Sequence, residues 1–211
     1  MKKALAALAL SALAASSAMG QTRSRDYEKD VAKQREAVEA WTTCIADERS
    51  EDVTKLLSLD FRSDDYRKLI EGLGKARVSS ECFNAMPRAY RKIELGGLPF
   101  AGGLAERIIE QDEEPLLQRL SMAALVDDVP TYSRTDAIAQ CMARGAPHLV
   151  AHLFDTEINS GEENEALADL QPVVAACAQG AGFEASPFGM RSMLATASFR
   201  LLAAQKVDND A

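Results

Sequence analysis

The two histidines of the chain stand four residues apart, in His148-Leu149-Val150-Ala151-His152. On a helix that spacing projects both imidazoles from one face, where they can share a divalent metal ion. Asp155 lies seven residues after His148 on the same stripe and is the candidate third ligand, with Glu157 close by. A zinc protease needs a glutamate directly after its first histidine, and Leu149 stands there instead. Two imidazoles alone also leave a structural zinc ion two protein ligands short, and a catalytic one a single ligand short. The pair reads first as a solvated helix face. The alternative is a metal-binding protein, or a metal-dependent enzyme, using His148, His152 and Asp155.

Other chemistry is weaker. Gly97 to Gly103 has the glycine spacing of a phosphate loop, but Gly103 and Leu104 occupy the places of its lysine and hydroxyl residue. Without that lysine there is no charge for phosphates, so the stretch reads as a loop leading into a helix. There is no Gly-x-Ser-x-Gly elbow, and neither histidine sits where it would serve a nucleophile as base. Asp64-Asp65, Asp127-Asp128 and Glu162-Glu163 fall where helix ends or loops are expected and read as solvated carboxylates. No catalytic residue and no cofactor are implied.

Cysteine chemistry is more informative. The span from Cys44 to Cys82 resembles that from Cys141 to Cys177. Aligned on the first cysteines without a gap, Ala46 matches Ala143, Val53 matches Val150, Leu56 matches Leu153, Ser63 matches Ser160 and Leu73 matches Leu170. With the cysteines that makes six identities in thirty positions, where chance gives roughly two. The matches fall on cysteines and spaced apolar residues, as an internal repeat with a buried scaffold would retain. Four cysteines allow three pairings, and the repeat favours Cys44 with Cys82 and Cys141 with Cys177. Free thiols or a zinc site are the alternatives, but no Cys-x-x-Cys spacing is present.

Paired cysteines need an oxidising compartment, and the N-terminus is consistent with one. Lys2-Lys3, the apolar run Ala4 to Ala15 and Ala18-Met19-Gly20 follow the order of a secretory signal, with cleavage expected before Gln21. The run is short of the roughly 20 residues of a membrane span. A periplasmic or secreted location is expected, without membrane insertion once the signal is cleaved. The 191 residues that would remain carry 22 basic and 32 acidic side chains. That acidity makes phosphate backbones and anionic membrane surfaces poor partners.

The elements that would position these residues are helices. The stripe Tyr27, Val31, Val38, Trp41, Ile45 predicts a helix over about 26–48, with Arg35 and Glu39 on its other faces. Ser50 is expected to cap a short helix carrying Val53, Leu56 and Leu57. Ser63 and Ser160, each followed by acids, are expected to cap two more. Pro99-Phe100 and Pro187-Phe188 lead into later helices, with Leu104 to Ile109 in one and Met190 to about Gln205 in the other. No stretch alternates as a strand. The expected fold is all-α: residues 21–206 form one domain of two tandem short-helix bundles, about 26–110 and 133–205, linked by a helix over about 113–126. Residues 21–25 and 207–211 are expected to be disordered.

An exported chain with a cysteine, a Leu-Leu pair, an acid-rich capped helix, a second cysteine and then a Pro-Phe helix resembles a set of uncharacterised secreted bacterial helical proteins, over roughly residues 35–205. That resemblance implies a fold and brings no activity or site. The expectation for function is an exported interaction or scaffold protein, binding a protein or envelope component through a groove between its two units.

Overall fold

A computed structural model describes residues 30–91, 93–125, 129–180 and 182–209. The proposed signal peptide, residues 21–25, the expected helix start near Asp26 and Asp127-Asp128 lie outside the described residues. Within them every regular element is helical. The first unit runs α1 (Val31–Glu48), α2 (Ser50–Ser58), α3 (Asp64–Gly74), α4 (Ser80–Ala85), a single 3-10 turn (Arg88–Arg91) and α5 (Gly97–Glu110). A linking helix, α6 (Leu116–Ala123), follows. The second unit runs α7 (Arg134–Gly145), α8 (Pro147–Phe154), α9 (Gly161–Asp169), α10 (Gln171–Ala178) and α11 (Pro187–Asn209).

Each unit is closed by its own disulfide. Cys44 on α1 is bonded to Cys82 on α4, and Cys141 on α7 to Cys177 on α10, with Cα separations of 6.0 and 5.8 Å. The eight apolar residues that match between the units are all buried, none more than 2% exposed. Both matching serines are caps. Ser63 Oγ accepts from the Tyr66 amide at 3.1 Å, and Ser160 Oγ from the Glu163 amide at 3.0 Å, relieving two otherwise unpaired N–H groups.

Several elements differ from expectation for identifiable reasons. Ser50 does not cap α2; it is the helix's first residue, and Arg49 takes the capping position without a side-chain bond to the backbone. Val31 is 62% exposed, and α1 instead buries Arg35, Ala37 and Thr42 above Cys44, Ile45 and Ala46. The 97–103 stretch is already helix. Gly102 and Gly103 are there for packing: a Cβ on Gly102 would lie 2.4 Å from Ser192 Cβ, and one on Gly103 would lie 2.7 Å from Thr42 Oγ1. The missing side chains let α11 and α1 approach α5 closely on two sides. Gly97, with φ of 64°, makes the turn into α5. Residues 207–209, expected in a disordered tail, continue α11.

The long helices form the seam of the molecule. α5 packs on α1 and α11, while α11 also packs on α7 and α6. One continuous core runs through both units, from Ile45, Leu56 and Phe100 to Met142, Leu153 and Leu194.

Candidate functional site

Two clefts open along this seam, and the same register positions build both. With the units aligned on Cys44 and Cys141, Arg35 corresponds to Tyr132, Glu39 to Asp136, Phe61 to Ile158 and Tyr66 to Glu163. One cleft is lined by Arg35 and Glu39 with Ile158, and Arg35 bonds to Glu163 behind it. The other is lined by Asp136 with Phe61 and Tyr66, and Tyr132 packs edge-on against Phe61, with centroids 5.9 Å apart. In each, the leading helix of one unit meets the corner after the second helix of the other unit, beside α5 and α11. The two clefts have diverged, one ionic and one apolar.

The ionic cleft encloses about 60 Å³, room for a few water molecules. Its charges are arranged as a chain. Arg35 Nη1 donates to Glu163 Oε2 at 2.8 Å, and Nη2 donates to the other oxygen. Arg191 Nη1 donates to Glu163 Oε1 at 3.1 Å, while its Nε donates to Glu106 Oε1 at 3.0 Å. Arg191 also donates to the Thr156 hydroxyl and carbonyl. Burial pushes the Glu163 carboxyl up, but the hydrogen bonds and charge of Arg35, the Asn159 amide and Arg191 outweigh it and hold the group below the usual range. Glu106 goes the other way, because burial outweighs the Arg191 bond. Glu39, at the mouth, is raised by burial and then by the negative charge of Glu106. Two carboxyls with raised pKa values in a cleft are a signature that also marks acid–base sites. Here the deeper one is held by an arginine, and the space beside it is too small for a substrate. The chain of charges instead fastens the two units together.

The apolar cleft is larger, about 420 Å³, within the range of small-molecule sites. Leu57 and Phe61 from the first unit, Leu98 and Ala101 from α5, and Met193 from α11 form its walls. Ser133, Thr135 and Thr196 add hydroxyl groups. Its buried polar part is an ion pair, Arg200 with Asp136, 9% and 7% exposed. Asp136 is fixed twice more: its Oδ2 accepts from the Tyr132 amide at 2.9 Å, and its own amide donates to Ser133 Oγ at 3.1 Å. Arg200 also lies over the Tyr132 ring, 5.7 Å from its centroid. Arg200 Nε has no hydrogen-bond partner among the described residues. Burial pushes the Tyr66 phenol up against the opposing charge of Arg200, so it is protonated at neutral pH. A third hollow of about 370 Å³ is lined by Ala37, Tyr90, Ile93 and Pro99, but its charged lining residues, Lys33 and Glu94, are exposed.

Comparison with known protein families, with curated proteins and with solved structures returns no match. The residues themselves must carry the reading.

The metal candidates lie away from both clefts. His148 and His152 are exposed on α8, and Asp155, also exposed, caps its end. The described residues hold no group of three or more His, Cys, Asp or Glu side chains that could take a metal ion. Of the carboxylate pairs, Asp64-Asp65 is solvated as expected. Glu162-Glu163 is a correction: Glu162 is exposed, whereas Glu163 is 1% exposed and is the centre of the ionic cleft. Arg35, expected away from the core, is 5% exposed. One cue was available in the sequence. Arg35 falls seven residues from Thr42 and ten from Ile45, close enough in helical phase to share their buried face. A partner for it 128 positions away leaves no local pattern.

Proposed function

We propose that this chain is an exported helical binding protein that holds an apolar ligand in the cleft between its two disulfide-closed units. The observation that carries the reading is the 420 Å³ apolar cleft with the Arg200–Asp136 pair buried at its base. A rigid frame around it, with one bridge per unit and an ionic clasp on the opposite side of the seam, suits preorganised binding rather than a moving catalytic site. The two units descend from a duplicated ancestor in this reading, supported by the matching buried residues, caps and disulfide positions. Export rests on Lys2-Lys3, the apolar run to Ala15 and the small residues before Gln21. The disulfides agree with that compartment, and among the described residues no helix is long and apolar enough to cross a membrane. The likeness to secreted bacterial helical proteins belongs to the same reading.

Native mass spectrometry of the protein expressed with its leader tests both parts. The exported species is expected to begin at Gln21 and to carry a bound apolar molecule that is lost on denaturation. Filling the cleft by Thr196→Phe is expected to abolish that adduct. A retained Met1 would refute export, and an adduct unaffected by Thr196→Phe would refute the cleft as the site.

A further inference from the structure

We infer that the apolar cleft selects an uncharged amphiphile: an aliphatic or ring-sized body with one neutral hydrogen-bonding head, such as an alcohol or amide. The inference rests on the cleft being the binding site and adds the class of ligand.

Size comes first. An apolar cavity of about 150 Å³ holds benzene, so 420 Å³ accommodates a body of roughly 15 non-hydrogen atoms by the same measure. Charge comes second. Arg200 and Asp136 are both more than nine-tenths buried and neutralise each other. A charged head reaching that depth would lose its hydration and meet a pair with no net charge to offer in return. An anion would be drawn to Arg200 and repelled by Asp136, and a cation the reverse. A neutral head pays far less for leaving water. It is met by the cleft's hydroxyl groups, because Arg200 Nε, though without a hydrogen bond within the described residues, is sealed from solvent. The protonated Tyr66 phenol can donate or accept, and the Thr196 hydroxyl, which already donates to the Met193 carbonyl at 3.0 Å, can accept. The ionic cleft provides the contrast: there the register position of Tyr66 holds Glu163, and that of Tyr132 holds Arg35.

Three probes with one alkyl body separate the possibilities: octan-1-ol, octanoate and octylammonium, each titrated below its micellar range at pH 7. The readout is the methyl signal of Met193, which lines the cleft, against that of Met142, buried elsewhere. Octan-1-ol is expected to shift Met193 saturably and leave Met142 unmoved. Its Kd is expected to be at least tenfold lower than those of both charged probes. Asp136→Asn should leave Arg200 uncompensated and move the preference toward octanoate by at least tenfold. If a charged probe shifts Met193 at equal or lower concentration in the wild-type protein, the ligand class is wrong while the cleft stands as a binding site. If none of the three shifts Met193, both readings fall. Should Asp136→Asn not fold, the wild-type comparison still decides.

Discussion

Arg35 of the first unit holds Glu163 of the second through both guanidinium arms, and neither side chain is more than 6% exposed. The contact joins residues 128 positions apart, and with Arg191–Glu106 it fastens the two units by charge.

Removing one member should therefore be expensive. Arg35→Met or Glu163→Gln is expected to destabilise the fold by about 3 kcal/mol, the usual consequence of breaking a buried ion pair by removing one partner. The double variant should lose at least 1 kcal/mol less than the sum of the singles. Urea midpoints with a double-mutant cycle measure this, and additive losses would show that the pair is not coupled.

Glu39 and Glu163 should respond to pH with opposite signs. Glu163 is held below its ordinary range, so its stabilisation is present at neutral pH and is lost as pH falls through its folded pKa. Glu39 is raised, chiefly by burial and then by Glu106, so its ionisation above the folded pKa weakens the fold. Glu39→Gln should gain roughly 0.5 kcal/mol at pH 7, a figure kept small because the residue is half exposed and screened by solvent. That gain should vanish near about pH 3, where the carboxyl is protonated in folded and unfolded chains alike. An equal gain at both pH values, or a loss at pH 7, would contradict it.

Two glycines in helices should behave in opposite ways when replaced by alanine. At Gly102 the added methyl meets Ser192 Cβ and Cα at 2.4 and 2.5 Å, atoms that move only with the backbone of α11. A loss of about 1–3 kcal/mol is expected. At Gly72, on α3, nothing lies within 4 Å of the new Cβ, and a gain of about 0.5–1 kcal/mol is expected from helix propensity. Thermal melts of the two variants give the signs directly.

His148 and His152 should bind zinc weakly, since two exposed imidazoles have no third ligand beside them among the described residues. Replacing both with alanine should change stability by no more than about 0.5 kcal/mol. Submicromolar one-to-one zinc binding by calorimetry, lost in the double variant, would instead restore the metal reading.

What the sequence made legible was whatever repeats or acts locally. Val53 with Val150 and Leu56 with Leu153 marked buried positions, Ser63 with Ser160 marked caps, and the cysteine spans marked both bridges. The ionic clasp was hidden because Glu163 sits in the acid-rich first turn of α9, where acids ordinarily face water and complement the helix dipole. Ser50 misled for a related reason. Serine before an acid-rich turn resembles a cap, but Arg49, bonded to Asp52, already ends α1 and begins α2. The apolar cleft had no signal of its own, since its walls come from segments as distant as Leu57 and Met193.

Because each disulfide closes a loop inside one unit, its cysteines 38 and 36 positions apart in sequence, both loops are shielded from tension applied at the chain ends. A stretched molecule would stop short of its full contour length. At about 3.5 Å per residue, the withheld slack is roughly 250 Å, released only when a reductant reaches the bridges. Under load the protein would thus behave as two knots on a string, and its extension would report the redox state of its surroundings.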